Sequence, residues 1–251
     1  MPTAQPFEVV RTRTMKVASD PVTEFAVGKF GDACAIDGTN QAENFRAWFG
    51  TSKCVDDDGM PKVMFHGSTV WEARGTSLGD FDAFDRMASV ERVRRRPSID
   101  VVGSWFSSRS DAAGADLYAC GGVIYPVYLM IASPWLTTFE GMTRRARAFG
   151  GIPEGAPLTL AAVDALRYWL VETGRDGIRI RHDVRSESTE FRDQDVWIAL
   201  EPTQIKSAIS NAGTYCRTDP GMSDPLARNA AAARAALEFL SGSARRPQQA
   251  A

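Results

Sequence analysis

Of the two histidines in this chain of 251 residues, His66 and His182, His66 sits where it could do chemistry. It ends the short apolar run Lys62-Val63-Met64-Phe65, which reads as a β-strand, and Gly67 and Ser68 follow it. A histidine at a strand end puts an imidazole at a sheet edge beside exposed backbone groups. A glycine next to it lets a flat ligand approach the main chain closely. A second short strand, Ser104-Trp105-Phe106-Ser107-Ser108, leads into an Asp- and Ala-rich helical turn that delivers Tyr118. One histidine, one exposed stretch of backbone and one aromatic face could together clamp a flat ligand.

These pieces recur with others in a fixed order. Phe65-His66-Gly67-Ser68 is followed by Phe81-Asp82-Ala83-Phe84-Asp85, Trp105-Phe106-Ser107-Ser108 and Ala115-Asp116-Leu117-Tyr118. Then come Tyr125-Pro126-Val127-Tyr128-Leu129 with Pro134, Gly174-Arg175-Asp176-Gly177-Ile178, and Trp197 to Ala208 with Asn211-Ala212-Gly213-Thr214-Tyr215. Over about residues 41 to 216 the chain resembles the ADP-ribosyltransferase-like domains of bacterial effectors, toxins and phage polyvalent proteins. These belong to the His-Tyr-Glu branch, with diphtheria toxin and the poly(ADP-ribose) polymerases. The resemblance implies an α+β fold, a split mixed or antiparallel β-sheet with flanking helices.

It also implies NAD as substrate and no metal. His66 would bond a ribose hydroxyl of the adenosine half, and the Gly67 backbone would bond the nicotinamide amide. Tyr118 would stack on the nicotinamide ring, with Ser107 or Ser108 fixing that ring and Ser68, Trp105 and Phe106 completing the cofactor-binding set. The branch has a glutamate at the start of the last main strand, and counting back from Gln204 puts that position at Val196. Valine supplies no charge. The adjacent Asp195 could serve if a bulge re-aims it, Glu190 and Glu201 are more remote, and Gln204 can orient but cannot act as a base. With Asp195 in the role, the chain is expected to transfer ADP-ribose from NAD to a protein, a host protein among the candidates. It would act as an effector or toxin made in the bacterial cytoplasm and delivered by a specialised secretion system. The alternatives are a catalytically silent module that binds NAD, ADP-ribose or a protein, and an NAD glycohydrolase.

Composition sets the bounds. With 44% hydrophobic and 24% charged residues the chain is globular in type, and a formal net charge of -2 gives no bulk attraction to nucleic acid or to a membrane. No apolar run approaches the roughly 20 residues that a membrane helix needs. Four cysteines without CxxC spacing argue against zinc and for reduced thiols.

The elements that must position the chemistry follow. Residues 1 to 40 show no period and read as a leader, a secretion signal or a partner-binding extension. Gln41 to Phe49 reads as a helix with Phe45, Trp48 and Phe49 on its apolar face, ended by Gly50. Asp56-Asp57-Asp58-Gly59 is a turn between strands at 53 to 55 and 62 to 66. Residues 69 to 103 read as loop, and their basic run Arg92 to Arg96 is either a solvated face or a substrate contact. Further strands are expected at 104 to 108, 123 to 131, 177 to 180 and within 196 to 209, with Pro126 marking a bulge or an edge. Residues 137 to 157 read as a linker. Thr159 caps a helix carrying Leu160, Val163, Leu166 and Leu170. Asp224-Pro225 starts a last helix up to residue 242, and 243 to 251 form a tail.

Overall fold

The short runs rich in β-branched and aromatic residues pair into one sheet in the computed structural model. It describes residues 20–35, 37–68, 72–73, 76–77, 83–86, 90, 98–111, 114–119, 122–180, 194–209, 211 and 213–222. The strands are β1 (Met64–Ser68), β4 (Ser104–Ser107), β5 (Val123–Leu129), β6 (Pro134–Thr137), β7 (Gly177–Ile180), β8 (Val196–Ala199) and β9 (Ile205–Ser207). Their order is β6-β7-β8-β4-β1-β5-β9, and β6 runs parallel to β7 while the other pairs are antiparallel. Two further strands, β2 (Glu72–Ala73) and β3 (Thr76–Ser77), form a separate hairpin. The helices are α1 (Pro21–Phe30), α2 (Gln41–Phe49), α3 (Ala115–Ala119), α4 (Phe139–Gly150) and α5 (Leu160–Glu172). This is the α+β class the sequence implies.

The sheet is split. β1 pairs with β5 over five positions and β4 with β8 over four, yet β1 and β4 meet only at Phe65 with Ser107. Side chains alternate faces along each strand. Val196 and Ile198 therefore join one core with Val101, Val102, Met142 and Leu166, under α4 and α5. Trp197 and Ala199 join a second core with Met64, Phe106, Val127 and Leu129 on the other face.

A third core caps β5. Phe45 is fully buried and lies 5.2 Å from the Tyr128 ring, 5.0 Å from Tyr215 and 5.3 Å from Phe49 between centroids. α1 closes this core with Val22, Phe25, Ala26 and Phe30. The segment read as a leader is thus packed from Pro21 onward. Its start carries the signal recognised at Asp224-Pro225: Asp20 Oδ1 accepts from the Thr23 N–H at 3.0 Å, and proline takes the first helical position.

Pro126 lies in an interior strand, between β1 and β9, rather than at an edge or a bulge. Its carbonyl accepts from the Ala208 N–H at 2.9 Å, but proline has no N–H to return to Ala208. Lys29 fills that place, donating from Nζ to the Ala208 carbonyl at 3.0 Å and to the Tyr128 hydroxyl at 2.6 Å. Other expectations need correction, among them the strand at 53 to 55, where only a single bridge joins Val55 to Pro61. Residues 137 to 157 hold helix α4, capped by the Thr138 hydroxyl and ended by the left-handed Gly151, rather than a linker. The edge strand β6 was not foreseen. The helices at 41 to 49 and after Thr159 stand as expected. The basic run 92 to 96, the helix from Asp224 and the tail lie outside the described residues.

Candidate active site

The split between β1 and β4 forms at His66. The Ser108 N–H donates to the Asp195 carbonyl at 2.9 Å, so Ser108 turns its backbone toward β8. Backbone groups alternate sides along an antiparallel strand, so Ser107 and Trp105 turn theirs toward β1. A ladder continued from Phe65 with Ser107 would next set Gly67 against Trp105, but the pairing stops. The Trp105 carbonyl instead meets His66 Nδ1 at 2.7 Å. A carbonyl only accepts, so Nδ1 carries the proton, and in the neutral ring Nε2 is then an acceptor. Gly67 lies two residues past Phe65, so its N–H and C=O point into the gap where the strands diverge. The His66 ring is set by Phe84, edge to face at 4.8 Å, and by Phe106 at 5.5 Å.

Gly67 has a second reason to be glycine. A Cβ there would lie 1.9 Å from the Ala115 carbonyl oxygen and 2.8 Å from the Ala119 nitrogen. Helix α3 therefore crosses directly over β1, and the sequence reading assigned this glycine to ligand approach alone. Tyr118 lies on the turn of α3 that makes this crossing, and its side chain is outside the description.

The other expected residues are placed as follows. Ser68 and Ser107 are buried, and Phe106 belongs to the second core. The Ser107 hydroxyl donates to Gln194 Oε1 and accepts from the Arg109 N–H at 3.0 Å. Ser108 Oγ accepts from the Asp195 N–H at 2.9 Å. Trp105 Nε1 donates to the Asp100 carbonyl at 2.9 Å. Gln194 was not singled out from the sequence. It is a buried polar group beside Ser107, two positions from Val196 and on the same face by alternation. A polar residue two steps before a run of four buried strand residues was the available signal.

The carboxylates lie apart from the gap. Asp195 continues the β4–β8 register opposite Ser108 with no extra residue, so the bulge expected to re-aim it is not there. By alternation it shares the face of Trp197, opposite to Ser107 and Val196. Arg179 Nε donates to Asp195 Oδ1 at 2.9 Å and Lys62 Nζ to Oδ2 at 3.2 Å. Burial pushes the Asp195 carboxyl up, yet it is held below the usual carboxylate range, with the Arg179 and Lys62 cations against it. Glu201 is at the far end of β8, where it pairs with Arg167 and caps the 3-10 turn Pro202–Gln204. Gln204 is a structural knot: Oε1 accepts from the Leu200 and Glu201 N–H groups at 3.0 and 2.8 Å, and Nε2 donates to the Met130 and Asp176 carbonyls. Glu190 lies outside the described residues. Among the described residues no group of three His, Cys, Asp or Glu side chains is placed to hold a metal ion, and no helix is long and apolar enough to cross a membrane.

A split sheet whose first strand carries a histidine and a glycine under a crossing helix, with His66 in mid-strand opposite Tyr125 rather than at the strand end expected from sequence, is the frame of an ADP-ribosyltransferase. The chain belongs to the family described as ADP-ribosyltransferase in polyvalent proteins, whose model matches residues 56–215. No curated protein and no solved structure matches the chain.

Proposed function

We propose that the chain binds NAD in the gap between β1 and β4 and transfers its ADP-ribosyl group to a protein acceptor. The observation that carries this reading is the end of the β1–β4 ladder at Phe65, which leaves the Gly67 backbone facing the gap while His66 bridges to Trp105. NAD supplies the ADP-ribosyl group, with nicotinamide as the leaving group. Gly67 orients the amide, His66 Nε2 accepts from a ribose hydroxyl, and Tyr118 on α3 stacks on the ring. Fixing these groups before reaction is where such a site gains rate. The acceptor we favour is a protein of a host or competitor cell, reached by delivery of the chain as an effector or toxin.

A second reading has its own support. Val196 holds the position of the branch glutamate, and Asp195 is committed to Lys62 and Arg179. Both facts favour a module that binds NAD or ADP-ribose without turnover. Incubation with NAD labelled in its adenylate half separates the outcomes. Label on protein supports transfer, free nicotinamide without labelled protein means hydrolysis, and intact NAD bound to the chain means the silent module.

A further inference from the structure

Asp195 sits where three strands of the split sheet come together at one end. Lys62, leading into β1, reaches past the end of β4 to Asp195 Oδ2 at 3.2 Å. Arg179 on β7 reaches the same carboxylate from the other side, with Nε at 2.9 Å and Nη2 at 3.3 Å. The guanidinium is fixed over the Trp197 ring at 5.1 Å. The Asp195 backbone is held too, through both bonds to Ser108. The half-sheets share a single ladder pair at Phe65 and Ser107, so side chains must supply the rest of the joint. His66 with the Trp105 carbonyl ties the side of that pair near Gly67, and Lys62 with Asp195 ties the other side.

We propose that Asp195 is a positioning residue, a clamp across the split that sets how far β1 and β4 diverge at Gly67, and not the carboxylate that acts at the ribose. This deepens the NAD-site reading and rests on it. Its side chain is only 17% exposed and lies between two cations, so desolvation strengthens the tie and little of the carboxylate is left for a ligand. A fixed joint on one side lets the gap keep one width on the other, which a site built on preorganisation requires. Asp195 acts on the ligand through Lys62 and β1.

The test uses Asp195→Asn, Lys62→Met and the double variant in the full chain, with two readouts. The first is amide hydrogen exchange at Phe65 and Ser107 without NAD. The second is NAD affinity, read with turnover where turnover occurs. A clamp predicts faster exchange at the joint in both single variants and no further gain in the double variant. It predicts that both single variants lose NAD affinity by a similar factor, on the order of tenfold. Asp195→Glu, which keeps the charge, should recover part of both. Asp195→Asn with normal exchange, normal NAD affinity and no turnover, beside a normal Lys62→Met, would overturn the clamp and return Asp195 to the chemistry. If the wild-type chain binds no NAD, the site reading fails on its own, and the exchange comparison still decides whether the joint exists.

Discussion

The cap over β5 and the gap between β1 and β4 use neighbouring strands in opposite ways. In the cap, the aromatic rings of Phe45, Tyr128 and Tyr215 interlock, and Lys29 supplies the hydrogen that Pro126 cannot. At the gap, the ladder is interrupted, a side chain takes the place of a backbone partner, and glycine backbone is left facing the opening. Interiors close-pack unless something is meant to enter. On the function proposed above, the cap supplies stability and the gap takes the ligand. α1 and α2 precede the family match at residues 56–215 and pack against Tyr128 and Tyr215 within it.

The largest effect expected from this contrast is in the cap. Phe45→Ala should cost about 3–5 kcal/mol of stability, the range for a fully buried ring, while NAD affinity of the folded fraction stays the same. Urea denaturation with NAD titration measures both. A loss under about 1 kcal/mol would make the cap dispensable and restore α1 to the status of a leader.

Gly67→Ala comes next and strikes both regions' logic at once. Its Cβ would overlap the Ala115 carbonyl, so α3 must shift, at about 1–3 kcal/mol for overpacking. NAD binding should fall with it, because Tyr118 rides on the same helix. Unchanged binding in this variant would show that the α3 crossing does not shape the site.

His66→Ala should reverse the pattern of Phe45→Ala, lowering NAD affinity by about 1–2 kcal/mol, the value of one hydrogen bond with its partner left unmatched. Calorimetric titration of both variants sharpens the comparison. Equal stability losses with equal NAD affinities would erase it.

The smallest effect is alkaline. Burial raises the Tyr128 hydroxyl from 10.0 to about 12 and raises Tyr215 as well. A raised phenol pKa gives stability that is complete below pH 10.0 and is lost as pH rises toward the folded value. Lys29 opposes this: burial lowers its pKa, so stability gains as pH climbs toward 10.5. Two phenols against one amine leave a net loss, visible as a falling urea midpoint above pH 10.0. A level midpoint would mean that the cap opens enough to ionise freely.

Much of this was legible because it is local. Helix α2 and the helix after Thr159 announce themselves by capping and apolar period, and the strand at His66 by its apolar run and terminal glycine. What was not legible depends on partners distant in sequence. The α4 segment carries the exposed Arg144 and Arg145 and the half-buried Arg147, which mask the Met142 and Ala146 stripe beneath. Pro126 suggested an edge because only the fold reveals Lys29 as a substitute donor. Asp195 looked available for chemistry because Lys62 and Arg179 lie 133 and 16 residues away in the chain. Gly67 stood out in sequence only for ligand approach, and the Ala115 carbonyl above it cannot be read from the strand.

The central claim is that the interrupted ladder at Gly67 is the NAD site, and amide exchange at Gly67 measured with and without saturating NAD tests it most directly. The prediction is slowed exchange at Gly67 and at the Trp105 amide across the gap, with the α1 and α2 amides unchanged. NAD that binds yet leaves Gly67 exchange as it was, or that protects the cap instead, would contradict the account.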